Sequence, residues 1–376
     1  MGELEKRTWA EVSLENIRHN YAAIRAAIPA GCRFLGVVKA NAYGHGALAV
    51  SRTLEACGAD YLAVSCLDEA MELRDGGITL PILILGHTPC EYTRMLIDND
   101  LTQAITCLAK AEEFSAEALR VGRPLKVHIA LDTGMSRLGV LCRDERFDGG
   151  VENILKACRM PGLIPEGAFT HFAVSDEPGA DNEAYTRAQF QLFCQVLDEV
   201  AARGVTFRIR HCANSGAVVN YPEMCLDMVR PGLLLYGYGD TSGRLSLKPC
   251  MRFMTRVTTI KHYPAGTDVS YGRRFTTGRT TRMGVVGVGY ADGLPRLCSN
   301  RCAFAAGDGL APQRGSICMD MCMIDLTDLP AVSVGSEVEI FGERCSVEAL
   351  AAAAQTIPYE LLCALSRRVP RVYRNF

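Results

Sequence analysis

Three observations predict an α/β chain in two parts. Between about residues 32 and 235, short β-branched runs alternate with longer stretches of helical period, the pattern of parallel strands joined by crossover helices. After residue 240 the pattern becomes alternating apolar and polar residues broken by Pro-Ala-Gly, Ala-Asp-Gly and Gly-Asp-Gly turns, as in antiparallel strands. The reactive side chains of the first part all follow its strand-like runs, where barrel enzymes gather their sites. The expectation is an N-terminal TIM (β/α)8 barrel over residues 1–240 and a mainly antiparallel β domain over 241–376.

The expected barrel strands, in order, are Phe34–Val38, Tyr61–Ser65, Ile82–Leu85, Gln103–Thr106, Lys126–Leu131, Ile164–Thr170, Phe207–His211 and Asp227–Arg230. Among the intervening helices, Asn182–Arg203 is the clearest, with Tyr185, Phe193, Val196, Leu197 and Val200 on one face. A doubly wound sheet competes, but it needs a glycine fingerprint after an early strand. Gly287-Val288-Gly289 comes late and lacks the third glycine. Glycines at Gly237 and Gly239 suit a linker. Beyond it, strands are expected at Phe253–Thr258, Met283–Val288 and Val338–Phe341, with one helix at Ser346–Ala354.

Composition narrows the function. At 376 residues and 48% hydrophobic content the chain can bury a large core, and a net charge of −2 offers no basic face for nucleic acid. Apolar runs such as Leu80–Leu85 are too short to span a bilayer, and Glu3, Glu5, Lys6 and Arg7 stand where a secretory signal needs an apolar core, so no membrane association and a cytoplasmic location are expected. The seventeen cysteines, an odd number spread through core-like segments, read as reduced thiols. The pairs Cys298/Cys302 and Cys318/Cys322 fall in expected strand regions without histidines at ligand spacing, so no metal is expected.

At the strand ends, Lys39 follows the first strand, Arg137 lies after the fifth, His171 ends the sixth, Ser215 follows the seventh and Arg230 closes the eighth. A lone lysine at a strand end is ordinarily a solvated group. Lysine is also the side chain that forms an imine with an aldehyde cofactor. The surrounding segment, Val37-Val38-Lys39-Ala40-Asn41-Ala42-Tyr43-Gly44-His45-Gly46, resembles the cofactor-lysine motif of the alanine racemases, pyridoxal 5'-phosphate enzymes. Eight further motifs match that family in order: Leu131–Gly139, Phe169–Ala173, His211–Ser215, Met228–Gly232, Asp268–Gly272, Gly289–Gly293, Ile317–Asp320 and Ile357–Glu360.

The resemblance implies two bases, Lys39 on one face of an amino-acid substrate and Tyr271, from the second subunit of a homodimer with shared active sites, on the other. A phenol near pKa 10 needs nearby donors or positive charge to serve as a base, a role implied for His171 and Arg137. Arg137 and Met319 are implied substrate contacts, and Arg230 is implied to face the pyridine nitrogen, which a strongly basic guanidinium leaves unprotonated. The cofactor phosphate would fall to Tyr43, Ser215, the amides at Gly232 and Leu233, and Tyr359. One position departs from the family. Ala130 stands where many relatives carry a carbamylated lysine that pairs with the substrate-binding arginine, so a bound anion such as chloride would have to replace that charge. Alanine is the expected substrate, because the bulk of Tyr359 restricts the side-chain pocket. A serine or broad-specificity racemase is the nearest alternative, and a pyridoxal-phosphate carrier, ordinarily a lone barrel, is disfavoured by the β domain.

Overall fold

The computed structural model describes residues 7–240 and 243–376, and its contacts divide the chain into two compact units. One comprises Ile17–Ala42 and Ala47–Lys248. The other comprises Pro249–Phe376 with Tyr43–Gly46 and the described residues up to Asn16.

The first unit is a parallel barrel. Its eight strands are Arg33–Val37, Tyr61–Val64, Ile82–Ile84, Leu101–Ile105, Leu125–Asp132, Leu163–Phe169, Ile209–His211 and Met228–Val229; the first seven pair in parallel in this order, and the eighth pairs in parallel with the first. Flanking main-chain bonds bring the seventh and eighth strands together, Asp227 N to Arg210 O at 3.0 Å and Arg230 N to Ala213 O at 2.9 Å. Tyr61–Val64, Ile82–Ile84 and Leu101–Ile105 are buried along their whole length, whereas Ile164 of the sixth strand and Arg210 of the seventh are exposed, and each strand lies where the β-branched pattern places it. The expected long helix spans Ala180–Ala202 and buries Phe193, Val196, Leu197 and Val200. Tyr185, expected on the same face, is exposed, and its hydroxyl donates to Gly134 O at 2.8 Å to tie the helix to the loop after the fifth strand.

The second unit is built on an antiparallel ring. Met251–Tyr263, Thr281–Val286, Cys322–Asp325, Gly309–Arg314, Ala303–Ala306 and Glu337–Phe341 pair in that order, and the last returns to the first. Closure removes the exposed strand edges of an open sheet. Two strands extend it outside the ring. Thr8–Val12 runs antiparallel to Met251–Thr255, and Arg371–Tyr373 runs parallel to Ala10–Val12. The division at 240/241 drawn from sequence therefore differs from the compact units, because an N-terminal strand whose partner lies more than two hundred residues away has no local signature. The helix expected at Ser346–Ala354 spans Val347–Ala353, and a second one, Pro358–Ala364, follows it. Of the two Cys-x3-Cys pairs only Cys322 lies in a strand. Cys298 ends a 3-10 turn, and Cys302 and Cys318 lie in loops.

Candidate active site

Lys39 is presented by an unusual backbone. After the first barrel strand the chain enters a left-handed turn, with φ of 52° at Ala40, 54° at Asn41, 54° at Ala42 and 50° at Tyr43. Such angles cost a non-glycine residue about 1–2 kcal/mol each, so the surroundings must impose them. Glu69 accepts from Ala40 N at 2.6 Å and from Ser65 N at 2.7 Å, joining the ends of the first two strands. Asn41 Oδ1 accepts from Ala47 N at 2.8 Å, where the helix Ala47–Cys57 begins. Gly44, with φ of 82°, could carry no side chain, since a Cβ there would lie 2.1 Å from Leu362 O. Strain of this kind concentrates at functional sites.

Arg230 is 4% exposed. It donates to Thr170 O at 2.8 Å, Cys212 O at 3.2 Å, His211 Nδ1 at 2.9 Å and His171 Nδ1 at 3.3 Å. Burial lowers its pKa to about 10, so it remains charged at neutral pH. His171 is pushed down to about 3, first by burial and then by the positive charges of Arg230, Arg137 and Lys39. The three cations expected at the rim thus act on one imidazole. That ring is neutral, and because Arg230 donates to its Nδ1, its proton belongs on Nε2. Arg137 is exposed on a loop shaped by Asp132, whose Oδ1 accepts from Gly134 N and Ser136 N at 3.0 Å each. Ala130 is buried in the strand below it.

The loops after the seventh and eighth strands form a donor cluster. Ser215 opens the short helix Ser215–Asn220, capped by Asn214, and its hydroxyl accepts from Gly232 N at 2.9 Å and Leu234 N at 3.4 Å. Leu233 opens the 3-10 turn Leu233–Tyr236, so its amide is one of the first-turn donors without an intrahelical acceptor. A hydroxyl and main-chain amides at this end of a barrel suit a phosphate.

The remaining expected residues belong to the second unit. Tyr43 is buried, burial raises its pKa, and its ring centroid lies 6.0 Å from that of Tyr359 on the helix Pro358–Ala364. Met319 is 53% exposed. Tyr271, 72% exposed, sits on a turn between Ser270, with φ of 68°, and Gly272, with φ of 73°. The turn is pinned by Ser270 Oγ donating to Ser316 O and Ser316 Oγ donating to Tyr271 O, each at 2.7 Å. It borders an apolar hollow of about 380 Å³ lined in part by Tyr263, Val269, Met283, Val285 and Met323.

His211 and His128 received no role from the sequence, although His211 lies within a matched motif and a histidine amid an apolar strand was a visible signal. The structure buries both completely beneath Arg230.

A parallel barrel that gathers a lysine on a strained turn, a buried arginine and a phosphate-suited donor cluster at its strand ends defines a cofactor-dependent TIM-barrel enzyme. Residues 12–240 match the family model described as "Alanine racemase, N-terminal domain", and residues 250–373 match "Alanine racemase, C-terminal domain". The alanine racemase of Desulfosudis oleivorans is 42% identical, with 98% of this chain and 96% of that protein covered. Alanine racemase 2 of Caldanaerobacter subterraneus subsp. tengcongensis is also 42% identical, with 97% and 94% covered. The solved alanine racemase of Clostridium difficile 630 superposes with a TM-score of 0.92 at 36% identity, covering 99% of this chain and 97% of that one. The chain belongs to the alanine racemase family. Members of that family depend on pyridoxal 5'-phosphate, and the donors present, an amine at Lys39 and the hydroxyl–amide cluster around Ser215, fit an aldehyde that carries a phosphate.

Proposed function

We propose that the protein interconverts L-alanine and D-alanine in the cytoplasm as a homodimer with shared active sites, supplying D-alanine for peptidoglycan. The observation that carries this reading is the grouping of Lys39, Arg137 and Arg230 about a neutral His171 at the strand ends, in a chain 42% identical to alanine racemases over nearly its whole length. Pyridoxal phosphate, when bound, supplies the electron sink that makes an amino acid's α-proton removable. Lys39 would hold the cofactor through its aldehyde, and Ser215, the Gly232 and Leu233 amides, Tyr43 and Tyr359 would hold its phosphate. Lys39 would move a proton at Nζ on one face of the substrate. The partner subunit's Tyr271 moves a proton at Oη on the other. His171, with its proton on Nε2, and Arg137 are the donors that steady a phenolate there. Arg137 also pairs with the substrate carboxylate, and Met319 borders the substrate. Arg230, which stays charged, would face the ring nitrogen and leave it unprotonated, so the sink would be weaker and racemisation favoured over transamination.

The dimer reading is supported by Tyr271, which on a single chain exposes 72% of its surface beside an apolar hollow, a combination that suits burial against another subunit. Among the described residues no helix is long and apolar enough to cross a membrane. Incubating the purified protein with L-alanine and L-serine side by side and measuring the D-enantiomers tests the function. D-alanine should form faster. A higher serine rate overturns the choice of substrate, and no D-product from any amino acid overturns the reaction.

A further inference from the structure

Arg230 carries a buried charge, yet none of its hydrogen-bond partners among the described residues is a carboxylate. A buried ion so placed is costly unless a counter-charge is delivered to it. The barrel interior provides a route. Arg230 Nη1 donates to His211 Nδ1 at 2.9 Å, His211 Nε2 lies 2.9 Å from His128 Nδ1, and His128 Nε2 lies 3.8 Å from Glu166 Oε2. Tyr61 donates to the same Glu166 oxygen at 2.7 Å, and Arg208 stands 3.6 Å from the other. The two imidazoles are wholly buried, and Phe169 stacks on His211 with centroids 5.0 Å apart.

The proton order along this chain follows from its ends. Arginine can only donate, so His211 Nδ1 is bare and its proton sits on Nε2. His211 then donates to His128 Nδ1, which leaves the His128 proton on Nε2, a buried atom with no hydrogen-bond partner among the described residues that lies 3.8 Å from Glu166 Oε2, beyond hydrogen-bond reach. The Arg230 end fixes the direction, and the field of the Glu166 carboxylate favours the same one. Burial favours neutral imidazoles at both positions, and the nearby His128 ring and the hydrogen bond from Tyr61 hold the Glu166 carboxyl well below its usual range, so a full negative charge stands beside the His128 end of the chain.

We propose that Glu166 is a positioning residue for the reaction, acting through the neutral imidazoles of His128 and His211 to supply the counter-charge and the fixed proton order that hold the Arg230 guanidinium at the barrel rim. This rests on the reading that Arg230 faces the cofactor ring. The two hydrogen bonds in series, Arg230 to His211 and His211 to His128, polarise one another in a low dielectric, and the Glu166 charge acts on them through space across the 3.8 Å gap, so a change at the carboxylate reaches the guanidinium without direct contact.

The test begins with nitrogen NMR of holoenzyme labelled at its seven histidines, with His128 and His211 assigned by single substitutions to Asn. In the parent, both rings should show a bare Nδ1 and a protonated Nε2. Glu166→Gln should shift the His211 Nδ1 resonance and change the ratio of transamination to racemisation by roughly threefold to tenfold, as loss of an outer-shell partner does elsewhere. KM for alanine should move little, and Glu166→Asp should restore the ratio. In a His211→Asn background, Glu166→Gln should add nothing further to the ratio. If Glu166→Gln does not fold, Tyr61→Phe, which strips one donor and leaves the carboxylate charged, should shift the His211 Nδ1 resonance and the ratio in the opposite direction at smaller size. A protonated Nδ1 on either ring of the parent, an unaltered ratio, or effects that add across the two backgrounds each overturn the proposal. Failure of the parent to racemise any amino acid, with the nitrogen pattern as expected, counts against the functional reading and leaves the proton order standing.

Discussion

Replacing Ala40 with glycine should make the protein more stable and less active. Ala40 holds φ of 52° and ψ of 49° and is exposed, so its methyl group buries little surface that glycine would forfeit. Its amide bond to Glu69 survives the change. Relief of the left-handed penalty is worth about 1–2 kcal/mol, and the looser unfolded chain returns about 0.4–1 kcal/mol of that, leaving a net gain of about 1 kcal/mol. If the barrel unit unfolds as one body, Tm rises by about 2–4 °C. Ala40→Val should move the other way by more than 1 kcal/mol, roughly, because a β-branched side chain tolerates this region worst. Asn41→Gly would be a poorer probe, since it also removes the acceptor for Ala47 N. The strained turn holds Lys39 by its neighbour, so Ala40→Gly should slow racemisation several-fold while KM changes less. Thermal and urea unfolding of the two variants, measured beside kcat, decides the matter. A glycine variant that is less stable than the parent, or a valine variant that is unchanged, would refute the claim that backbone strain is stored beside Lys39.

Mixing inactive Lys39→Ala subunits with inactive Tyr271→Phe subunits should recover activity, at about a quarter of the parental sites for random pairing; no recovery despite demonstrated heterodimers would place the tyrosine within its own chain's site or outside the reaction. Acid should destabilise the protein in two stages with the same sign. His171 is held near 3 against an ordinary 6.5, so the unfolded chain binds the extra proton and stability falls as pH drops below about 6.5, and Glu166, near 2 against 4.5, adds a further loss below about pH 4.5. His171→Asn should remove about 2 kcal/mol of the loss between pH 7 and pH 5, and an unchanged slope of unfolding free energy against pH would contradict the neutral ring. Ala130→Lys should make activity depend on bicarbonate by allowing a carbamate beside Arg137, whereas bicarbonate dependence in the parent would mean another lysine already fills that role.

The eight barrel strands were legible because each is a short run that turn residues delimit to within a few positions, most plainly where burial on both faces leaves an unbroken apolar stretch, as in Tyr61–Val64 and Ile82–Ile84. Lys39, Arg137, His171, Ser215 and Arg230 could be placed at one rim from order alone, since strand ends in a closed parallel barrel share a face. The sequence also carried the family, through motifs spread along nearly the whole chain. Tertiary structure decided what has no local cause. Asn41 alone in Ala40-Asn41-Ala42-Tyr43 tolerates a left-handed turn well; alanine favours the right-handed form, and clamps such as Glu69, twenty-nine positions from Ala40, impose it. The strand Thr8–Val12 joins the second unit because its partner Met251–Tyr263 is distant in the chain. His128 and His211, eighty-three positions apart, meet only when the barrel closes, and their contact ties His128 through His211 to Arg230. Local pattern determines which segments form strands and helices; which side chains share a hydrogen bond depends on closure of the barrel, which no window of neighbouring residues contains.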